Sequence, residues 1–147
     1  MLRPPRLLSD PEIEELLALE VPARVASLDR DGFPHITPLW FVWSGGAFYM
    51  TSLYDRPHLN RLRRNPRAGL CVDVEHPARD DGERPNAQVR AIGEAELLPD
   101  TGGEWTRLIT AKYVHGAIAA QRGDWRAQEE RVAIVLRPAR LVAVASV

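Results

Sequence analysis

Residues 23–52, ARVASLDRDGFPHITPLWFVWSGGAFYMTS, read as three β-strands joined by two tight turns, and Asp55-Arg56-Pro57-His58 follows at once as a cationic helix start. Apolar side chains recur at about every second residue in 24–28 and 36–43, which is the period of a strand. Between them Asp31-Gly32 tolerates the positive φ of a hairpin turn, and Ser44-Gly45-Gly46 does the same before strand 47–51. An antiparallel meander is the economical arrangement. Pro34 and Pro38 have no N–H to donate, so the middle strand leaves ladder positions open at an edge, a bulge or a bend. A planar ligand can reach main-chain groups at such a gap.

Upstream, Asp10 and Pro11 with Glu12, Glu14 and Glu15 mark the start of a short amphipathic helix that runs to about Glu20 and stops at Pro22. Downstream, a second helix over 56–64 ends at Asn65-Pro66, because the residue before proline is pushed out of the helical region. Strand 67–75 follows. Residues 76–86 are polar, carry Pro and Gly without period, and read as a surface loop. Strand 88–98 contains Gly93 as a bulge candidate. Residues 101–115 read as a helix closed by Gly116, 124–129 as a helical turn or two, and 131–136 and 140–145 as two strands separated at Pro138. Strands joined by such short turns are antiparallel, and a closed or nearly closed sheet hides edges that a small chain struggles to cover. The fold class expected is mainly β, an antiparallel barrel with short helices inserted.

The 147 residues suit one domain spanning 1–147. With 19 basic and 20 acidic residues the formal charge is −1, so no net field favours nucleic acid or a membrane surface, and a small ligand is the better expectation. No apolar run approaches the roughly 20 residues of a membrane span, and the N-terminal residues lack a signal-like apolar region, so the chain reads as cytoplasmic. The single cysteine, Cys71, reads as a buried structural thiol.

Arg56, His58 and Arg61 cluster at the start of the second helix, where the macrodipole opposes positive charge and a bound anion would reverse the sign. Free backbone N–H groups, a guanidinium and an imidazole make a phosphate cradle there, with Thr51 and Ser52 adding hydroxyls. The other reading is a solvated basic face on a helix capped by Asp55. The four histidines are scattered without metal-ligand spacing, and no serine sits in a nucleophile elbow. Trp40, Phe41, Trp43, Phe48 and Tyr49 either wall a ring-binding cleft or fill the core or a dimer interface.

Three stretches taken in order, 23–43, Tyr49-Met50-Thr51-Ser52 and Leu62-Arg63-Arg64-Asn65-Pro66-Arg67, resemble the pyridoxamine 5′-phosphate oxidase-like split-barrel family. Within it the chain is most similar to the flavin and deazaflavin (F420) oxidoreductase branch, and the resemblance covers about residues 11–147. It implies a six-stranded antiparallel split barrel and a homodimer with cofactor clefts at the interface. It also implies FMN or F420 as cofactor, hydride transfer to a small organic acceptor, and no named catalytic acid or base. By position, the cofactor ring would lie along Pro38, Leu39 and Trp40 and along Met50, Thr51 and Ser52. Arg56 falls on a basic phosphate-binding position, and His58 stands where FMN- or F420-binding relatives usually have lysine. Asn60 and Arg61 occupy, in exchanged order, a stretch where relatives often have Arg-Asn. Loop 76–86 and the helix around Trp105 to Tyr113 are the expected substrate-selecting segments, with the second subunit as one source of them. The alternative is a non-catalytic split-barrel dimer that binds another small molecule, such as haem or a tetrapyrrole, for which His58 is the main support.

Overall fold

Both turn signals close hairpins in the computed structural model, which describes residues 4–146. Strand β1 is Arg6–Leu7, and helix α1 is Asp10–Leu17. Its N-cap is Ser9 rather than Asp10: Ser9 and Glu12 form a capping box, and the hydrogen-bonded Arg6 guanidinium holds the Glu12 carboxyl down at about 2. The first hairpin joins β2 (Ala23–Leu28) to β3 (Pro34–Leu39), with Asp29 Oδ1 accepting from the amides of Asp31 and Phe33 at 2.9 and 3.0 Å. The second joins β4 (Val42–Ser44) to β5 (Ala47–Leu53) through Gly45 and Gly46, whose φ angles of 57° and 78° suit glycine.

The two hairpins do not make one meander. The strand order is β3-β2-β6-β7-β8-β5-β4, where β6 is Arg67–Glu75, β7 is Asn86–Pro99 and β8 is Arg131–Leu136, so β3 and β4 stand at opposite ends. The 36–43 run breaks at Trp40 and Phe41, and side chains satisfy its main chain there instead of a ladder. The Phe41 amide donates to Tyr113 Oη at 3.3 Å, and Lys112 Nζ donates to the Phe41 carbonyl at 3.1 Å. The result is mainly β and antiparallel, in the split-barrel class expected, with a sheet that is not closed. The two strands beyond the seven read from sequence are the short β1 and β4, the far part of the broken run.

Strand β7 changes partner along its length. Its first half pairs with β9 (Arg140–Ser146) and its second half with β8, while β6 runs beside it in unbroken register through Ala68↔Gly93. Gly93 is therefore a changeover point and not a bulge in that ladder. A Cβ there would lie 2.9 Å from the Arg137 carbonyl oxygen of the β8–β9 connection. Edge strand β3 accommodates Pro34 and Pro38, because β2 is its one partner.

Helix α2 (Pro57–Arg64), α3 (Glu104–Tyr113) and α4 (Ile118–Ala127) complete the chain. Phe41, Phe48, Met50, Leu59, Val72 and Val89 are fully buried and form the centre of the core. Cys71 is half-buried rather than buried, since it faces outward between Arg24 and Arg90 in the cross-strand register. No helix among the described residues is long and apolar enough to cross a membrane.

Candidate functional site

A cleft of about 620 Å³ opens where the end of β3 faces α3 and α4 across β5. One wall is Thr37, Pro38, Leu39 and Trp40; the floor is Thr51, Ser52 and Leu53; the end at α2 carries Arg56 and His58. Ile109, Val114, Arg122, Trp125 and Arg126 form the opposite wall, with Arg131 at the start of β8.

Aromatic stacking and a buried polar network fix these walls. Trp40 lies flat on Tyr113, with ring centroids 4.8 Å apart and planes 7° off parallel, and Tyr113 Oη donates to the Val21 carbonyl at 2.8 Å. Burial pushes the Tyr113 phenol up to about 12, so it stays a donor. Arg126 sits over the Trp40 ring at 5.2 Å and donates to Thr110 Oγ1 at 2.7 Å. Asp100, buried before α3, accepts from the amides of Trp105 and Thr106 and from Thr106 Oγ1 at 2.6 Å. With that hydroxyl hydrogen committed to the carboxylate, Thr51 must donate across the 3.0 Å to Thr106 Oγ1. Strand β5 and helix α3 are thereby tied together beneath the cleft.

Charge is the cleft's clearest property. Four arginines and one histidine line it, no carboxylate does, and none of the four arginines forms an ion pair among the described residues. In a chain of net charge −1 this is a local concentration of positive field. Burial lowers the pKa of Arg126, and of Arg131 beside it, yet a guanidinium starting from so high a value remains charged. His58 behaves differently: burial first, then Arg61, then Arg56 hold its imidazole below the ordinary value, so it is neutral at pH 7. His58 Nε2 and Arg131 Nε are both buried without a hydrogen-bond partner among the described residues. Such orphaned atoms in two lining side chains fit a site that an anionic ligand completes.

The helix start is less of a backbone cradle than its sequence suggests. Pro57 has no N–H, and the amides of Leu59 and Asn60 donate to the Arg56 carbonyl, which leaves only the His58 amide in the first turn. Nor does Asp55 cap α2; Arg56 is the N-cap and makes no side-chain cap bond.

Of the residues singled out from sequence, Pro38, Leu39, Trp40, Thr51, Ser52, Arg56 and His58 come together in this cleft. Met50 does not: its side chain is fully buried in the core. Arg61 turns away and donates from Nε to Ser27 Oγ at 2.8 Å. Loop 76–86 contributes His76 and Arg79 to a separate cleft of about 490 Å³ beside α1. The wall that sequence reasoning missed is α4, whose Arg122, Trp125 and Arg126 recur at i, i+3 and i+4. That spacing was readable only once the helix was known to begin at Ile118 rather than near 124.

A split antiparallel sheet with a positively charged, aromatic-walled cleft defines the class of the fold. The chain matches the family model described as pyridoxamine 5'-phosphate oxidase over residues 9–145, and it belongs to that family. No curated protein matches it. Among solved structures it is similar to a conserved hypothetical protein from Mycobacterium tuberculosis, at 20% identity and a TM-score of 0.76, covering 97% of this chain and 88% of that one. It is similar to a FAD-binding protein from Mesorhizobium loti at 23% identity and a TM-score of 0.67, covering 99% of this chain and all of the other. An F420 reductase is 24% identical with a TM-score of 0.62, covering 87% of this chain and 94% of that chain. At these identities the likeness establishes the fold.

Proposed function

We propose that the protein is an oxidoreductase that binds FMN or F420 in the arginine-lined cleft and transfers a hydride to a small organic acceptor. The observation that carries this reading is the pairing of an apolar, aromatic wall with four arginines in a cleft that no carboxylate lines. Arg56 and Arg131 would pair with the cofactor phosphate, and the orphaned His58 Nε2 would gain a partner near it. Pro38, Leu39 and Trp40 belong to or adjoin an edge strand whose second side has no ladder, so their main-chain groups are available to a planar ring. Once bound, the ring supplies the redox chemistry, and the protein need only bind, orient and shield it. The absorbance spectrum of freshly purified protein, followed by titration with each cofactor, checks the reading. Micromolar or tighter binding of FMN or F420 is the expected result. A Soret band, or no binding of either, would sink it.

We also infer that the active form is a homodimer. The register puts Ile36, Ala26, Gly69 and Ile92 in one outward row across β3, β2, β6 and β7, and Ile36 and Ile92 are 68% and 57% exposed. An apolar groove of about 430 Å³ runs beside that row. The next outward position on β3 is Pro38, a cleft residue, so a second copy seated on this face would reach the cleft. Ile36→Glu combined with Ile92→Glu should convert a dimer into a monomer in sedimentation velocity. A wild-type protein that sediments as a monomer would remove the inference.

A further inference from the structure

The cleft holds more positive charge than one phosphate uses, and the surplus sits on its own structural element. Helix α4 presents Arg122 and Arg126 one turn apart on the same face, with the indole of Trp125 between them, 62% exposed. Like charges at this spacing repel, and nothing on the helix relieves them. The carboxylate on α4, Asp124, is paired with Arg107 of α3 and does not line the cleft. Arg126 is not free to swing toward α2, because it is held over Trp40 and bonded to Thr110.

We propose that the α4 end of the cleft is an acceptor subsite for a flat organic carboxylate, its anion held by Arg122 and Arg126 and its ring covered by the indole of Trp125. A planar guanidinium fork matches a carboxylate in two hydrogen bonds, and the exposed indole of Trp125 on the cleft wall favours a flat apolar partner. Two anion sites then divide one cleft: Arg56 and His58 serve the cofactor phosphate, and α4 serves the substrate. The identity of this ligand as hydride acceptor rests on the oxidoreductase reading, whereas its binding to α4 does not.

Benzoate and its neutral isostere benzamide are the probes, titrated into the full-length protein while tryptophan fluorescence is followed. Benzoate should give a saturable change and benzamide should bind about tenfold more weakly or worse, because the charge-assisted bonds are lost. Arg122→Gln, an exposed side chain without a hydrogen bond among the described residues, should weaken benzoate about tenfold, and Arg122→Gln with Arg126→Gln should abolish it. FMN and F420 affinities of the Arg122→Gln protein should stay within about threefold of wild type, and Arg56→Ala should show the reverse pattern. Equal binding of the two probes, no benzoate binding, or loss of cofactor in the Arg122→Gln protein would overturn the subsite. Benzoate binding that depends on α4 in a protein that takes up neither cofactor would leave the subsite standing and refute the oxidoreductase reading.

Discussion

Replacing Arg56 with alanine should lower affinity for the bound cofactor by about 10- to 100-fold, the loss of one charge-assisted hydrogen bond worth roughly 1.5–3 kcal/mol. Stability should hardly change. Arg56 is exposed, makes no cap bond from its side chain and takes part in no ion pair among the described residues, so the fold does not depend on it. Its neighbour His58 adds a pH dependence whose sign follows from linkage. Without ligand, burial and the charges of Arg61 and Arg56 keep the imidazole below its ordinary pKa and neutral at pH 7. An adjacent phosphate favours the protonated ring, so binding takes up a proton. Affinity should therefore rise as pH falls through the bound-state pKa and be flat above it. His58→Lys should bind more tightly at pH 8 and lose the pH dependence. Isothermal titration at several pH values would show both. A pH-independent wild type would mean that His58 does not meet the phosphate.

The sequence carried the strands and one wall of the site, and the reasons for its silences are physical. Alternation in 24–28 and 36–43 marks strand segments, but period two does not say which strand lies beside which. The separation of β3 from β4 depends on Tyr113 and Lys112, some seventy residues away, satisfying the main chain at Phe41. Those groups were visible in the sequence only as members of a helix. Likewise Arg56 and His58 were legible because they follow directly on a strand they share a cleft with. Arg131 reaches the same cleft only through the antiparallel pairing of β5 with β8, which brings Leu53 opposite it. Helix α4 was underestimated because Ile118–Gly123 includes a mid-helix glycine and a weak apolar pattern. Gly123 is nevertheless buried against α3, where a Cβ would meet the Arg107 Cα at an ordinary contact distance of 3.7 Å.

That same helix pair predicts the largest effect on stability. Gly103 is the N-cap of α3 at φ +70°, and a Cβ built there would stand 2.2 Å from the Cβ of Ala127, the last residue of α4. Gly103→Ala therefore meets two separate costs: roughly 1–2 kcal/mol for the left-handed backbone and about 1–3 kcal/mol for overpacking. Gly102, one residue earlier at φ +73°, has nothing within 4 Å of its would-be Cβ, so Gly102→Ala carries the backbone cost alone. At roughly 2–4 °C per kcal/mol for a chain of this length, Gly103→Ala should melt about 5–15 °C below wild type and well below Gly102→Ala. Adding Ala127→Gly to Gly103→Ala removes the nearest atom in conflict but leaves the residue-127 Cα at 3.0 Å and weakens the end of α4, so it should restore part of the lost midpoint. The site gives a second readout. Asp100 and Thr106 anchor α3 to Thr51 on β5, so the strain is expected to move α4 rather than the sheet. Benzoate binding through Arg122 and Arg126 should then weaken more than cofactor binding through Arg56. If Gly103→Ala melts no earlier than Gly102→Ala, the start of α3 and the end of α4 are not held in contact, and the geometry of the arginine wall must be set elsewhere.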